Sequence, residues 1–314
     1  MKSGLITRLR ILGLSLLLSL PAAASWTSFV TMGSTTVGPN PSCASADAGQ
    51  ATCAATSLSH TLVVNQFNAA RGQTGAVLAA VWNGTDWSEL TFIGGQVTSA
   101  PSCAALRAGH VLCAARSVSG GLTSSVFNGT SWSSFSNLSG KTTVGPGCAS
   151  DGAGDVICAT VSTTSTVLAN RFNGTKWNKF LDLGGQATSP INCTPMAIRG
   201  QVACFAKGSN TGYWGNRFNG GDWNINQWTG WGTLGGLVNP GGSCTAFGAG
   251  DLICGVVGVT DSALWINQLE GNWLGFERVG QTAVGNPGCT SLGSGKVLCA
   301  IVGVNSKASS TVGP

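Results

Sequence analysis

Apolar residues in this chain come in short runs broken by glycine- and asparagine-bearing turns, and the order of runs and turns returns about every 45 residues. The stretch from Trp132 to Thr175 shows one round. It opens with Trp132-Ser-Ser-Phe135, passes Gly145-Pro146 to Cys148, turns at Gly152-Ala153-Gly154, and continues as Asp155-Val-Ile-Cys158-Ala-Thr. A third apolar stretch, Val167-Leu-Ala-Asn-Arg-Phe172, meets the turn Asn173-Gly174 and leads to Trp177. Runs this short, bounded by turn residues, read as β-strands, four to a round.

The W-x-x-[FWL] opening occurs at Trp26/Phe29, Trp87/Leu90, Trp132/Phe135, Trp177/Phe180, Trp228/Trp231 and Trp273/Phe276, at intervals of 61, 45, 45, 51 and 45 residues. The two long intervals place insertions around Ala69 to Ala80 and Ile225 to Gln227. Asn-Gly at 83–84, 128–129 and 173–174, with Asn219-Gly220 and Gly271-Asn272 in matching places, is the chemistry of a two-residue hairpin. In phase with the tryptophans run six cysteine pairs: Cys43/Cys53, Cys103/Cys113, Cys148/Cys158, Cys193/Cys204, Cys244/Cys254 and Cys289/Cys299. The pairs flank a glycine turn, so each is expected to form a disulfide between the first two strands of its round. A gap of nine or ten residues is not the short spacing of a zinc site, and no metal or other cofactor is expected. In the loop-entropy model each bridge is worth about 2.7 kcal/mol.

A period near 45 residues with four strands predicts an all-β fold, a β-propeller of six four-stranded blades with one disulfide each. The ends of the chain support closure. Ser25-Trp-Thr-Ser-Phe29 has the form of a fourth strand, while Ala308-Ser-Ser-Thr-Val312 stands in the place of a third. The N-terminal strand would complete the last blade and hide sheet edges. The alternative is a seven-bladed ring lacking one blade.

Lys2, Arg8 and Arg10 precede an apolar run, Ile11 to Leu20, too short to span a bilayer, and Ala22-Ala23-Ala24 offers a cleavage site. Residues 1–24 are thus expected to be a signal peptide, residues 25–314 a single β-propeller domain, and the protein secreted or periplasmic, where disulfides persist. Removing three of the 16 basic residues with the signal leaves 13 against 11 acidic. That near-neutral balance gives a nucleic-acid partner no support, and no membrane span is expected.

Trp228-Thr-Gly-Trp231-Gly-Thr-Leu234-Gly235-Gly236, then Asp251-Leu-Ile-Cys254 and Asp261-Ser-Ala-Leu-Trp265, resembles the repeat of the β-propeller lectins related to the Photorhabdus lectin. Those repeats read W-x-x-W-x-x-L-G-G, a strand after a glycine turn, and D-x-A-L-W. The chain departs from them in its paired cysteines, in six units where well-known members have seven, and in W-x-x-F at most copies. The resemblance implies a secreted lectin that binds glycans, fucose or related sugars, in pockets between neighbouring blades.

Six of the eleven tryptophans form the in-phase series and read as packing between blades. Trp82, Trp214, Trp231 and Trp265 break the series and are the candidate stacking platforms for sugar rings. Among the polar pairs before the last turn of each round, Arg171 and Arg217 are the candidate partners for sugar hydroxyls. His60 and His110 lie in no nucleophile motif and acids are few, so an enzyme is not expected. The rival readings are a propeller serving as a protein-interaction or envelope-structural module and, behind it, a glycosidase, which requires two carboxylates in one concave site.

Overall fold

The structure, a computed structural model, describes residues 42–47, 50–56, 75–82, 91–293, 295–303 and 308–313, with side chains from Ile93 onward apart from Pro240 and several positions beyond Gly280. Their regular structure is strand except for one 3₁₀ turn, Ile225–Gln227, which is the expected second insertion. β1 (Ser42–Asp47), β2 (Gln50–Thr56), β3 (Gly75–Trp82) and β4 (Thr91–Val97) form an antiparallel meander. The second sheet holds β5 (Ser102–Arg107), β6 (His110–Arg116), β7 (Leu122–Phe127) and β8 (Ser136–Asn137), and the third β9 (Gly147–Ser150), β10 (Val156–Val161), β11 (Val167–Phe172) and β12 (Leu181–Asp182). The fourth consists of β13 (Asn192–Pro195), β14 (Val202–Lys207), β15 (Tyr213–Phe218) and β16 (Gly232–Gly235).

The last seven strands run together. β17 (Val238–Ala246), β18 (Leu252–Gly258) and β19 (Ala263–Glu270), with the short β20 (Asn272–Trp273), lead into β21 (Glu277–Gly293). The first part of β21 pairs with β19 and its second part with β22 (Lys296–Gly303), which pairs in turn with β23 (Ala308–Gly313). β21 is thus the fourth strand of one unit and the first of the next. β23 stands where a third strand was expected. The proposed closing strand, Ser25 to Phe29, the signal segment 1–24 and the openings Trp26 and Trp87 lie outside the described residues.

In every unit the cysteines are direct register partners across the first hairpin, from Cys43 opposite Cys53 to Cys289 opposite Cys299. Cross-strand partners bring their Cβ atoms within disulfide reach. Five bridges are formed, Cys103–Cys113, Cys148–Cys158, Cys193–Cys204, Cys244–Cys254 and Cys289–Cys299. The side chains of Cys43 and Cys53 lie outside the described residues.

Alternation along the strands sends successive side chains to opposite faces, and both faces are buried because the sheets stack on one another. Ile157, Ala159, Val167 and Ala169 of the third sheet meet Val202, Cys204, Ala206 and Phe218 of the fourth. Ala203, Phe205 and Tyr213, on the other side of the fourth, meet Leu252, Cys254 and Val256 of the fifth. The first strands of successive sheets lie side by side. Cys148 N–H donates to Ser102 Oγ at 2.9 Å, Cys244 N–H to Asn192 Oδ1 at 2.9 Å, and Cys289 N–H to Ser243 Oγ at 3.1 Å.

The in-phase tryptophans among the described residues pack in these inter-sheet cores. Trp132, Trp177 and Trp228 lie 5.3–5.5 Å, ring centre to ring centre, from Phe127, Phe172 and Phe218. In the four described openings the second aromatic caps a glycine of the preceding unit, Phe135 at Gly95, Phe180 at Gly140, Trp231 at Gly185 and Phe276 at Gly236.

Two local expectations are corrected. The first insertion does not reach Ala80, because residues 75–82 are β3; the extra length lies between Thr56 and Gly75. The Asn-Gly turns at 128 and 173 are not two-residue hairpins. Asn128 Oδ1 accepts the N–H groups of Thr130 and Ser131, both at 2.9 Å, within a four-residue loop between Phe127 and Trp132, and Asn173 does the same for Thr175 and Lys176. Side-chain capping satisfies the loop, so only the glycine takes a positive φ.

Candidate functional site

A cleft of about 300 Å³ opens between the third and fourth sheets. Two indoles line it, and each is fixed by its ring N–H. Trp214 Nε1 donates to Asn210 Oδ1 at 3.2 Å, and the same oxygen accepts the Gly212 N–H at 3.1 Å, closing the β14–β15 loop on itself. Gly208 at the start of that loop leaves room for the ring, since a Cβ there would stand 2.9 Å from Trp214 Nε1. Trp231 comes from the opening motif of the fourth strand. Its Nε1 donates 2.9 Å to the carbonyl of Leu183 in the neighbouring sheet. Gly185, with φ +76°, lies under that indole, and a Cβ would stand 3.0 Å from Trp231 Nε1.

The rest of the lining is Val167, Ala187 and Ala206, with Gln186, Ser209 and Asn210 as polar side chains and no charged residue. The two sheets are pinned at the cleft by the Ala187–Gly208 bridge and by Ser209 N–H to the Gln186 carbonyl at 3.1 Å. Both indole donors are engaged, so the rings present carbon surface. Gln186 and Ser209, both exposed, remain to exchange hydrogen bonds with a guest. An apolar floor with a few polar groups at the rim suits a neutral molecule having one apolar face.

Part of the arrangement repeats one interface on. Trp265 Nε1 donates to Asp261 Oδ1 at 3.2 Å above Gly258, and Asp261 also pairs with Arg278 at 2.9 Å. The side-chain hydrogen bond from Arg278, then those from the Ala263 and Trp265 N–H groups, lower the Asp261 pKa to about 2. Tyr213 stands here in the register position of Val167, fully buried, and burial pushes its phenol well above its ordinary value. At the second and third sheets the register position of Trp214 holds Thr123 and Leu168.

The candidates from the sequence thus separate. Trp214 and Trp231 converge in one cleft, and Trp265 has the equivalent place at the next interface. Arg171 lies four residues along β11 from Val167, paired with Asp155, donating to the Gly221 carbonyl at 2.6 Å and resting over Phe218. Arg217 faces the other side of the fourth sheet and lines a second cleft there. Trp82 is two residues beyond Ala80, the partner of Cys53's strand position. Phe127, Phe172 and Phe218 occupy that place in later units, and the Trp82 side chain is outside the described residues. Sequence reasoning missed Asn210 and Gly185. Asn210 was signalled by its spacing, since Asn210…Trp214 matches Asp261…Trp265.

No protein-family model and no curated protein sequence matches the chain. Solved structures match its fold. The BP39L lectin from Burkholderia pseudomallei superposes with a TM-score of 0.66 at 14% identity, covering 84% of this chain and 77% of that one. The SapL1 lectin in complex with alpha methyl fucoside gives 0.58 at 12%, covering 89% and 94%. A lectin from Aleuria aurantia, described as a six-bladed β-propeller with a fucose recognition mode, gives 0.53 at 10%, covering 87% and 95%. The chain is similar in fold to fucose-binding β-propeller lectins.

Proposed function

We propose that this chain is an exported carbohydrate-binding protein, a six-bladed propeller that holds a neutral sugar between its third and fourth blades. The observation that carries the reading is the convergence of Trp214 and Trp231 in a charge-free cleft, each with its N–H already bonded. A pyranose has a C–H face that stacks on indole carbon, while its hydroxyls reach Gln186 and Ser209. A deoxy sugar such as fucose suits the cleft better than a fully hydroxylated ring, because its methyl group adds apolar area without an unpaired hydroxyl. The fold likeness to lectins, one with a methyl fucoside bound, supports the same class.

Trp265 gives the fifth blade the material for a related site, and repetition around a ring raises avidity beyond single-site affinity. Binding rather than hydrolysis is supported by the lining of both described clefts, which includes no carboxylate. The five disulfides support folding in an oxidising compartment. A glycan array probed with the oxidised chain tests the reading. Retention of fucosylated or other neutral glycans is expected; no glycan binding at high protein concentration would leave the protein-interaction alternative.

A further inference from the structure

The third and fourth sheets carry the same arginine in different states. In the third, Arg171 is paired with Asp155 two strand positions away and is covered by Phe218 and the Gly221 carbonyl of the next sheet. In the fourth, Arg217 occupies the identical register place, but the residue matching Asp155 is Gln201. The Gln201 Oε1 atom is buried without a hydrogen-bond partner among the described residues. The salt bridges among the described residues are Arg171–Asp155 and Arg278–Asp261, so Arg217 has no carboxylate partner there. Its one side-chain bond among the described residues is from Nε to Asn219 Oδ1 at 2.9 Å.

A second substitution brings Phe205 close beside it. The place of Ser124 and Ala169 in the preceding sheets is taken by Gly215, where a Cβ would come within 2.7 Å of Phe205 and 3.2 Å of Leu234. A cleft of about 360 Å³ lies here between the fourth and fifth sheets, lined by Arg217, Thr229, Asn272 and the indole of Trp273 among others. Trp273 is held edge-on by Phe205, with ring centres 6.1 Å apart.

We propose that this second cleft accepts an acidic sugar, its carboxylate on the Arg217 guanidinium and its ring against Trp273. A guanidinium lacking its structural counter-ion presents paired donors in the geometry a carboxylate fits. Neutral ligands leave that charge uncompensated, which makes the site selective for anions. The neutral cleft uses neither Arg217 nor Trp273, while Trp231 stands between the two clefts and lines both.

Titration calorimetry of the full oxidised chain with methyl glucuronide, methyl glucoside and inorganic sulfate tests it. The glucuronide is expected to bind at least tenfold tighter than the glucoside, with a preference that shrinks as salt rises from 50 to 500 mM. Gln201→Asp rebuilds the lock seen at Asp155 and is expected to erase the preference, as is Arg217→Gln; near-ultraviolet circular dichroism verifies that both variants fold. Equal binding of the two glycosides by the parent chain would overturn the proposal. So would a preference that survives either folded variant, or sulfate binding as tightly as the glucuronide, which would mark a bare anion contact. A parallel fucose titration, with Trp214→Ala as control, reads the neutral cleft separately, so failure of one site is distinguishable from failure of the other.

Discussion

Replacing Ala169 by serine is expected to stabilise this protein, against the usual direction of polar substitutions in a core. Trp177 and Trp228 occupy the same place in successive units. Trp177 Nε1 donates to Ser124 Oγ at 3.0 Å, whereas Trp228 Nε1 is buried with no partner among the described residues. The reason lies in the register. Ser124 pairs with Ala114, one position before the partner of Cys113, and the residue in that position of the third sheet is Ala169, which lies in the same buried cluster as Trp228. A buried donor without a partner costs about 1–3 kcal/mol. A serine hydroxyl at 169 would recover part of that and lose some to its own desolvation and ordering, leaving a net gain of about 1 kcal/mol. At this chain length the melting temperature should rise by about 2 °C. Differential scanning calorimetry of the oxidised protein is the assay, with Trp228→Phe as the second arm of a double-mutant cycle. The serine should stabilise the parent by about 1 kcal/mol more than it stabilises Trp228→Phe. Equal destabilisation in both backgrounds would refute the reasoning, because the hydroxyl would then not reach the indole.

Other perturbations have defined signs. Thr211 sits at φ +63° in the β14–β15 turn, where the second sheet has Gly120 at +84°. A β-branched residue there costs about 1–2 kcal/mol, and glycine returns about 0.5–1 kcal/mol through unfolded-chain entropy, so Thr211→Gly should raise the melting temperature slightly; a fall would contradict it. Asp261, held at a pKa of about 2 chiefly by Arg278, contributes stability present above the ordinary carboxylate value of 3.8 and lost as pH falls through about 2. The melting-temperature gap between the parent and Arg278→Gln should therefore be widest near pH 5 and close towards pH 2; a gap independent of pH would remove Asp261 as its cause. Removing one staple, as Cys193→Ala with Cys204→Ala, should cost about 2–4 kcal/mol in chemical denaturation, and an unchanged midpoint would mean that the bridge constrains little.

The architecture was legible because it is written in repeats. Six cysteine pairs and a tryptophan series, both in phase, specify hairpins without reference to long-range contacts, and each described cysteine pair falls in register. The site is harder to read because the opening motif does not order the remaining tryptophans, whereas the cysteine register does. Counted from the residue opposite the second cysteine, Trp214 and Trp265 both lie two positions before Asn216 and Asn267, while Trp82 lies two positions after Ala80. That four-residue difference moves a side chain along the strand, from the cleft end to the place of the ring-packing phenylalanines. The role of Arg171 was hidden for a related reason. Its carboxylate partner, Asp155, is sixteen residues away and becomes a neighbour only once the register of β10 against β11 is known. The residue that follows the glycine turn varies, as Asp155, Gln201 and Asp251, so no repeat marks it in the sequence, yet at 155 it holds an arginine and at 201 it frees one.

The most direct test of a sugar stacked between Trp214 and Trp231 is a fucose titration followed by intrinsic tryptophan fluorescence, comparing the parent chain with Trp214→Ala. Removing one face of the stack should cost about 1.5–3 kcal/mol, a tenfold or greater loss of affinity, with the fold intact by near-ultraviolet circular dichroism. An unchanged affinity in the folded variant would contradict the account by placing the sugar somewhere other than between these two indoles.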